Sequence, residues 1–302
     1  MLYRFVINSS AGRVRTEAVR NLIRSEFAGL SHEVAVDPSA ARLAELCREV
    51  NGEGRMTVVA VGGDGTVNRI INATPPSGVV VGVIPLGTAN DLAAALHIPV
   101  DPTAACRIVR EGRASAIDLI SVNERRFATC GGVGLAAQAA LRANRWRGSR
   151  SRVAGAFRWA LYPLAATCEL WGWRGLGPLR IRCGGTTMGE ETMTLVVSNQ
   201  PRFGGRFSTS PEASNADGLF DLCEIRAPRS RARMLWVILR ALCGRIGCMR
   251  EVVLMRGSEA TLIAPRAIPF FGDGELLETA RSFEIRLLPG ALRVLVPSGG
   301  GP

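Results

Sequence analysis

The amino-acid sequence predicts an α/β domain followed by a β-rich domain. The chain has 302 residues, which is more than one compact domain usually holds. Its first part alternates apolar, β-branched runs with helix-like stretches, which indicates a parallel sheet with helices on both faces. After about residue 117 the pattern changes to short alternating strands with Gly-rich turns, which favours an antiparallel sandwich or barrel.

The elements of the first domain follow this alternation in order. The predicted strands are residues 3–7, 33–36, 57–61 and 79–84, each a short run rich in apolar residues. The predicted helices are residues 16–27, 39–50, 67–73, 91–96 and 103–111. We expect the first domain to close near Gly112, directly after the last of these helices.

The second domain is predicted mainly from strands. These are residues 118–122, 126–130, 179–183, 192–198, 219–225, 259–263 and 282–287. Helical stretches are predicted near residues 153–170 and over residues 231–242. The Gly/Pro tail at 297–302 is predicted to be unstructured.

Composition indicates a soluble protein of the cytoplasm. The chain is 47% hydrophobic and 21% charged, and its longest apolar runs fall well short of the roughly 18 residues that a membrane span needs. The N-terminus opens on a strand pattern without an export signal. Eight cysteines lie mainly in apolar segments without paired spacings, which favours reduced thiols over disulfides.

The residue inventory excludes several mechanisms. The two histidines, His32 and His97, lie at metal-ligand spacing from no cysteine or other histidine, which disfavours zinc chemistry and a Ser/His/Asp triad. The chain contains no lysine, and all 37 basic side chains are arginines. P-loop, protein-kinase and Schiff-base mechanisms each need a lysine. We therefore expect the chemistry to depend on carboxylates.

The net charge of +11 is concentrated in two segments, residues 142–158 with Trp146 and Trp159, and residues 226–250 around the sequence MLWVIL. Arginines mixed with tryptophan and an apolar helix suit peripheral contact with an anionic membrane. A solvated helix face is the alternative. Nucleic acid is disfavoured as a partner, because no helix-turn-helix or RNA-binding signature accompanies the charge.

Two Gly-containing loops follow buried strands, where open α/β sheets bind phosphorylated ligands. In GGDGTVN (62–68), the glycines let the backbone approach a polyphosphate, and Asp64 suits Mg²⁺ or an acceptor hydroxyl better than a phosphate. In PLGTAND (85–91), Gly87 permits the turn and Thr88 offers a hydroxyl. Asp91 alone would be interpreted as an ordinary helix N-cap.

Five motifs in order then carry a family resemblance. They are FVINSSAGR (5–13), VAVGGDGTVNRIINA with VGVIPLGTANDLAAAL (59–73, 81–96), AIDLISVNERRF (116–127), LVVSNQPRFGGRFSTSPEASNADGLFDL (195–222) and FGDGELLE (271–278). Together they resemble the diacylglycerol kinase and sphingosine kinase superfamily, particularly its soluble bacterial lipid kinases. The resemblance implies an N-terminal α/β domain like that of NAD kinases and phosphofructokinases, and a C-terminal antiparallel β-sandwich-like domain. It places the domains at 1–117, completed by a strand at about 288–298, and at 118–287.

The resemblance also implies the reaction, in which the γ-phosphoryl group of ATP passes to a lipid hydroxyl with Glu275 as general base. Asp64 and Asp91 would organise Mg²⁺ and the acceptor. The implied nucleotide-binding residues are Asn8, Asp37, Gly62, Gly63, Asp64, Gly65, Thr66, Val67, Asn68 and Thr88. A second, structural Mg²⁺ would be held by Ser214, Asp217 and Leu219. Plain turns at Asp217-Gly218 and Asp273-Gly274 remain the alternatives.

Three positions depart from the family pattern. Ser9 stands where a proline is usual, Asp37 where a threonine commonly contacts the nucleotide, and Ala136 where many members have an aspartate. An acid near a polyphosphate would weaken ATP binding or change the nucleotide preference. A catalytically weak, regulatory nucleotide- and lipid-binding homologue therefore stays open as an alternative. An NAD kinase-like enzyme, which shares GGDGT, is the other alternative, and it is disfavoured because PLGTAND resembles the lipid-kinase form of the second loop. A homodimer also stays open.

Overall fold

The structure, a computed structural model, describes residues 1–10, 15–48, 56–75, 79–148, 161–173, 175–204 and 207–298. The chain divides into two compact units. The N-terminal unit comprises Met1–Asp118 and Pro289–Pro302, and the C-terminal unit comprises Leu119–Leu288. The chain passes from one unit to the other within two strands, Arg113–Val122 and Glu275–Val296.

The N-terminal unit is built on a parallel sheet. Its elements in chain order are β1 (Leu2–Ile7), α1 (Thr16–Glu26), β2 (His32–Val36), α2 (Ala40–Leu46), β3 (Met56–Gly62), α3 (Asp64–Ala73), β4 (Val80–Pro85), α4 (Asp91–Ala95), α5 (Pro102–Glu111) and the first part of β5 (Arg113–Val122). The strands pair in the order β2-β1-β3-β4, all parallel. The alternation predicted from the sequence is therefore confirmed.

The end of the chain adds a strand to this sheet. The last residues of β13 (Glu275–Val296) pair in parallel with β4, with Arg293 opposite Val80. The backbone N–H of Gly290 donates to Oδ1 of the buried Asp118 at 2.8 Å. In the tail, the Ser298 hydroxyl donates to the Glu111 carbonyl at 3.1 Å, and residues 299–302 lie outside the described residues.

Helix boundaries differ from the prediction at two places. α3 begins at Asp64 and not at Val67, so the second half of the GGDGT loop forms the first turn of the helix. α2 ends at Leu46, earlier than predicted, and its C-cap is Cys47. The predicted end at residue 50 lies outside the described residues.

The C-terminal unit is an antiparallel β structure with a helical layer. Its strands are β6 (Arg125–Phe127), β7 (Cys130–Gly134), β8 (Pro178–Cys183), β9 (Thr186–Ser198), β10 (Phe220–Arg226), β11 (Val252–Gly257), β12 (Glu259–Gly272) and most of β13, and its helices are α6 (Leu135–Gly148), α7 (Leu161–Gly172) and α8 (Arg231–Leu242). The pairing order is β11-β10-β9-β7-β12-β13, and β8 pairs with both β9 and β12. Antiparallel pairing was predicted and is confirmed.

Alternation along the central strands of this unit creates two cores. On β9 and β10, Val196 and Cys223 pack with α6, α7 and α8. Their neighbours Leu195 and Leu222 face the opposite side, in a core with Phe270 and other strand residues. This period of two is what a strand buried on both faces requires.

Several sequence predictions for the C-terminal unit were wrong. The single strand predicted at residues 126–130 is two strands, β6 and β7, separated by Ala128 and Thr129. The helix α6 and the strand β11 were not predicted. Of the helix predicted at 153–170, residues 153–160 lie outside the described residues, and α7 covers the rest.

The cysteines of this structure are free thiols, and its helices are short. All eight cysteines are thiols, and three of them, Cys168, Cys243 and Cys248, are exposed. Among the described residues, every helix is too short or too polar to span a bilayer.

Candidate active site

The two Gly-containing loops lie together at one edge of the N-terminal sheet. β3 and β4 are parallel neighbours, and Gly62 at the end of β3 pairs with Pro85 at the end of β4. The backbone N–H of Leu86 donates to the Gly62 carbonyl at 2.8 Å. Parallel pairing thus brings GGDGTVN and PLGTAND side by side, although 16 residues (69–84) separate them in sequence.

The glycines of these loops are required by close backbone contact. A Cβ atom on Gly87 would lie 2.5 Å from the Cα of Gly63, and a Cβ on Gly62 would lie 2.3 Å from the Thr66 hydroxyl. Both distances are far below any van der Waals contact. The loops therefore meet backbone to backbone, and only glycine allows so close an approach.

Helix α3 begins without a side-chain cap. Its N-cap is Gly63, whose backbone is extended, and no side chain accepts a hydrogen bond there. The first N–H groups of a helix lack partners within the helix and carry partial positive charge. Helix starts of this kind can bind anions, and the lysine-free phosphate site expected here from the sequence stays a prediction.

A hydrogen bond between the loops joins the carboxylate of Asp64 to the backbone of Asp91. The backbone N–H of Asp91 donates to Oδ1 of Asp64 at 2.7 Å. The N-cap of α4 is Asn90, in the left-handed region with φ 52°, so Asp91 is the first helical residue and not the cap. The Asn90 side chain closes the turn, accepting from the N–H of Gly87 at 2.9 Å and donating to its carbonyl at 3.1 Å.

The polar side chains predicted to bind nucleotide have structural partners. Thr66 and Asn68 are buried. Asn8 donates from Nδ2 to the Thr66 hydroxyl at 3.3 Å, and Asn72 donates to Oδ1 of Asn68 at 3.2 Å. Val67 is buried in the first turns of α3, and Thr88 is half-buried in the second loop. The bond from Asn8 connects the end of β1 to the first turn of α3, and the bond from Asn72 lies within α3.

Two of the family departures bind each other. The Ser9 N–H donates to Oδ1 of Asp37 at 2.9 Å, and the Ser9 hydroxyl donates to Oδ2 of the same carboxylate. Asp37 follows β2 in a left-handed conformation, with φ 45°. Arg69 on α3 donates to the carbonyl of the next residue, Pro38, at 2.7 Å. The sequence pattern did not indicate that Ser9 and Asp37 bind each other, whereas the structure shows two hydrogen bonds between them.

In the C-terminal unit, the predicted base Glu275 follows a two-residue hairpin turn. β12 ends at Gly272 and β13 begins at Glu275. The turn residues Asp273 and Gly274 both have positive φ, 51° and 80°, as two-residue hairpins prefer. The Asp-Gly pair is a hairpin signal here, and it presents Glu275 as an exposed residue at the start of the strand.

The turn is held by the side chain of Asp273, which sequence reasoning did not single out. Asp273 is buried, and its carboxylate accepts from the N–H groups of Ala128 and Thr129 and from the Thr129 hydroxyl at 2.7–3.2 Å. Asn144 on α6 donates to the Gly274 carbonyl at 2.6 Å. The available signal was the Asp-Gly-Glu motif itself, in which the aspartate orients the backbone before Glu275.

The predicted structural metal site contains an ion pair. Oδ1 of Asp217 accepts from the Leu219 N–H at 3.1 Å, and Oδ2 accepts from the Arg256 guanidinium. Ser214 lies in the same loop. Arg256 also lies 3.4 Å from a carboxylate oxygen of Asp221. Within the described ranges, no group of three or more His, Cys, Asp or Glu side chains is arranged as a metal site.

The pKa of the Asp221 carboxyl is raised above its usual value. Burial raises its pKa, the Arg256 guanidinium lowers it, and Asp217 and Glu212 raise it further. Its Oδ2 atom is buried and makes no hydrogen bond. A buried oxygen of this kind is favoured by a nearby cation, which Arg256 supplies in this structure.

Both parts of the chain are similar to known protein domains. Residues 3–122 match the diacylglycerol kinase catalytic domain, and residues 131–296 match the YegS C-terminal NAD kinase beta sandwich-like domain. The chain belongs to the diacylglycerol kinase family. This member of the family is a kinase with two domains of mixed α/β content.

Individual relatives agree with the family assignment. This chain is 31% identical to a protein named "Probable lipid kinase YegS-like" from Pectobacterium atrosepticum, and the match covers 80% of this chain and 78% of that protein. It is 30% identical to a protein named "Diacylglycerol kinase" from Mycobacterium tuberculosis, covering 82% and 79%. A crystal structure of a diacylglycerol kinase from Bacillus anthracis superposes with a TM-score of 0.71 at 16% identity, over 97% of this chain and 96% of that chain, which shows the shared fold.

Proposed function

We propose that this kinase transfers the γ-phosphoryl group of ATP to the hydroxyl of a lipid such as diacylglycerol. The observation that carries the proposal is the joined pair of loops, in which Gly63 and Gly87 touch and Asp64 binds the backbone of Asp91. Relatives whose names include lipid kinase and diacylglycerol kinase support the same acceptor class. We propose the domains to be residues 1–117, completed by about 288–298, and residues 118–287, with an NAD kinase-like first domain.

ATP is proposed to bind through backbone groups at the edge of the N-terminal sheet. The uncapped start of α3 offers N–H groups to the phosphates, and the glycines allow the close approach. Backbone N–H groups would replace the lysine that this chain lacks. Asn8 and Thr88 would support this loop edge, Asn8 through its hydrogen bond to Thr66.

Glu275 is proposed as the general base that accepts the proton of the lipid hydroxyl. It is exposed, and the turn before it is fixed by the hydrogen bonds of Asp273 and Asn144. Positioning matters because phosphoryl transfer depends mainly on alignment and charge neutralisation. A base on a rigid hairpin satisfies the alignment requirement better than one on a mobile loop.

Mg²⁺ is proposed at two places, and the donor chemistry fits a hard cation in both. Asp64 and Asp91 offer carboxylate oxygens beside the phosphate loop, where Mg²⁺ would neutralise phosphate charge. The second place is the loop of Asp217 with the carbonyls of Ser214 and Leu219. There the buried Asp221 oxygen and the ion pair with Arg256 mark a position that already requires positive charge.

The deciding experiment is a phosphotransfer assay with radiolabelled ATP against a panel of acceptors. The panel contains diacylglycerol, phosphatidylglycerol and sphingoid bases in anionic vesicles, with NAD as the acceptor of the alternative enzyme. Labelled lipid supports the proposal. Labelled NAD, or ATP binding without transfer to any lipid, refutes it.

Variants assign the base within the same assay. Glu275→Gln should abolish transfer while ATP binding survives, because the base acts only on the acceptor. Glu278→Gln is the matched control on the same strand, since Glu278 contacts Asn123 and has no role in the proposed chemistry. Equal loss in both variants would indicate a damaged hairpin and not a missing base.

A further inference from the structure

We infer that the outer surface of α7 and α8 docks on an anionic membrane. The two helices contact each other and cover one core of the C-terminal unit with their buried residues, among them Leu170 and Val237. The inference rests on the proposed function, because a lipid acceptor resides in a bilayer and the enzyme must reach it there. It adds the surface that does so.

The exposed face of α7 is apolar along one line. Among its residues with described side chains, Leu164, Cys168 and Trp171 are exposed at positions i, i+4 and i+7. Residues at this spacing lie on one side of a helix. The exposed fraction is 50% for Leu164 and 62% for Trp171, which is high for large hydrophobic side chains.

α8 repeats the pattern. Ala232, Trp236, Leu239 and its C-cap Cys243 are exposed at i, i+4, i+7 and i+11, opposite the buried face that includes Val237 and Ile238. Trp236 and Leu239 are 49% and 46% exposed. We call these seven residues of α7 and α8 the apolar stripes. Two neighbouring helices that both turn apolar residues outward form a patch of the kind that marks an interaction site.

The charge of the helical layer selects the partner. The sequences of α6, α7 and α8 contain six arginines and one acidic residue. That acid, Glu169, is paired with Arg142, whose guanidinium also lies 5.8 Å from the centre of the Trp146 ring. Arg145 and Arg231 are exposed. The three helices therefore carry more arginines than acidic residues, and this excess of positive charge is complementary to anionic headgroups.

A membrane fits these features better than a second copy of the chain. Tryptophan settles at the boundary between headgroups and acyl chains, and arginine binds the phosphates above it. A symmetric dimer would place the same patch of both copies face to face and bring two arginine-rich layers together. Repulsion between them opposes that contact.

Vesicle binding tests the surface. The double variant Trp236→Glu/Leu239→Glu and the single variant Trp171→Glu should bind vesicles with about one third phosphatidylglycerol roughly tenfold more weakly than the wild type. Wild-type binding to neutral vesicles should be weak by a similar factor. Leu254→Glu and Ile263→Glu are matched controls, because these strand residues are each 47% exposed but lie outside the apolar stripes.

The native thiols give a second readout. Cys168 and Cys243 lie in the apolar stripes, so vesicles should slow their reaction with a membrane-impermeant maleimide, measured by mass spectrometry of each cysteine. Binding by stripe variants at the wild-type level would overturn the inference. So would a wild-type dimer that the stripe variants convert to monomers in light scattering, since the patch would then be a subunit interface.

Failure of this inference is distinguishable from failure of the proposed function. The stripe variants should phosphorylate a short-chain, monomeric diacylglycerol at the wild-type rate. They should lose activity only towards diacylglycerol in vesicles. If no lipid is phosphorylated but binding depends on the apolar stripes, only the kinase reaction is wrong. If lipid is phosphorylated and binding ignores the apolar stripes, only the docking surface is wrong.

Discussion

Asp64 accepts a hydrogen bond at 2.7 Å from the backbone N–H of Asp91, 27 residues further along the chain. The bond joins the first turn of α3 to the first turn of α4. One carboxylate therefore joins the two loops beside the proposed phosphate site. Its structural and catalytic contributions can be separated by the choice of substitution.

Asp64→Ala should lower the free energy of unfolding by about 1–2 kcal/mol, because the Asp91 N–H loses its acceptor. Asp64→Asn keeps an acceptor oxygen and should cost less stability, yet both variants should lose phosphotransfer if the charge holds Mg²⁺. Urea unfolding and the radiolabelled-ATP assay give the two values. Asp101→Ala is the control, because the Asp101 side chain caps α5 by accepting a hydrogen bond from a backbone N–H. This variant should lose stability but keep phosphotransfer activity.

Gly87→Ala should separate the loops. The added Cβ would lie 2.5 Å from the Cα of Gly63 and 2.7 Å from Oδ1 of Asn90, and backbone atoms cannot yield as a flexible side chain does. We expect ATP affinity to fall at least tenfold in a titration, with a loss of stability of about 1–3 kcal/mol. Gly172→Ala, where the new Cβ meets nothing within 4 Å, should change neither quantity.

Local patterns in the sequence predicted the parallel sheet and its loops, because each strand there is a short apolar run between clear turn residues. Pairings between distant residues were not predictable. Asp273 binds Ala128 and Thr129 across 144–145 residues, and this splits the strand that the sequence alone predicted as continuous. α6 escaped detection because its Ala-rich sequence lacks a clear polar face, and only packing on the sheet shows which side is buried.

The pairing of Ser9 with Asp37 predicts a change in nucleotide binding. Asp37→Asn removes the acid from the proposed nucleotide-binding edge of the sheet and should lower the KM for ATP by roughly threefold or more, because one like charge is lost near the polyphosphate. Ser9→Ala removes the hydroxyl hydrogen bond to the carboxylate and keeps both the backbone hydrogen bond and the charge of Asp37, so it should not lower KM. Steady-state kinetics with ATP and GTP would measure both. An unchanged KM in Asp37→Asn would mean that this side chain lies away from the nucleotide.

We predict that Arg256 competes with Mg²⁺ for the carboxylates of Asp217 and Asp221. The guanidinium pairs with Asp217 and lies near Asp221, the two carboxylates of the proposed structural Mg²⁺ site. Arg256→Ala should lower stability without Mg²⁺ and enlarge the stabilisation by millimolar Mg²⁺, because a ligand of the folded state shifts the unfolding equilibrium. Thermal unfolding with and without Mg²⁺ would measure it. Arg286→Ala is the control, since Arg286 pairs only locally with Glu284. A Mg²⁺ shift that disappears in Arg256→Ala contradicts the competition.

We predict that acid weakens the contact between Glu251 and Arg233 of α8. Its carboxylate accepts two hydrogen bonds from Arg233, at 2.8 and 3.1 Å, and one from Arg250 at 3.2 Å. Hydrogen bonding from Arg233 lowers the pKa of Glu251 to about 2, although burial opposes this shift. Because the pKa of Glu251 is lower in the folded state than in the unfolded state, ionised Glu251 stabilises the folded state at pH values above the ordinary carboxyl pKa. This contribution is lost as pH falls from about 5 towards 2.

Glu251→Gln should therefore reduce the free energy of unfolding at pH 7 by about 1–3 kcal/mol, and the difference from the wild type should shrink as pH approaches 2. Urea unfolding of both proteins between pH 7 and pH 3 measures this. Glu259→Gln, at an exposed residue, should show no such convergence. A difference that stays constant over this range would mean that Glu251 acts through packing and not through its charge. Because Arg233 belongs to the first turn of α8, acid should loosen the helix that carries Trp236 and Leu239, and vesicle binding should weaken in parallel.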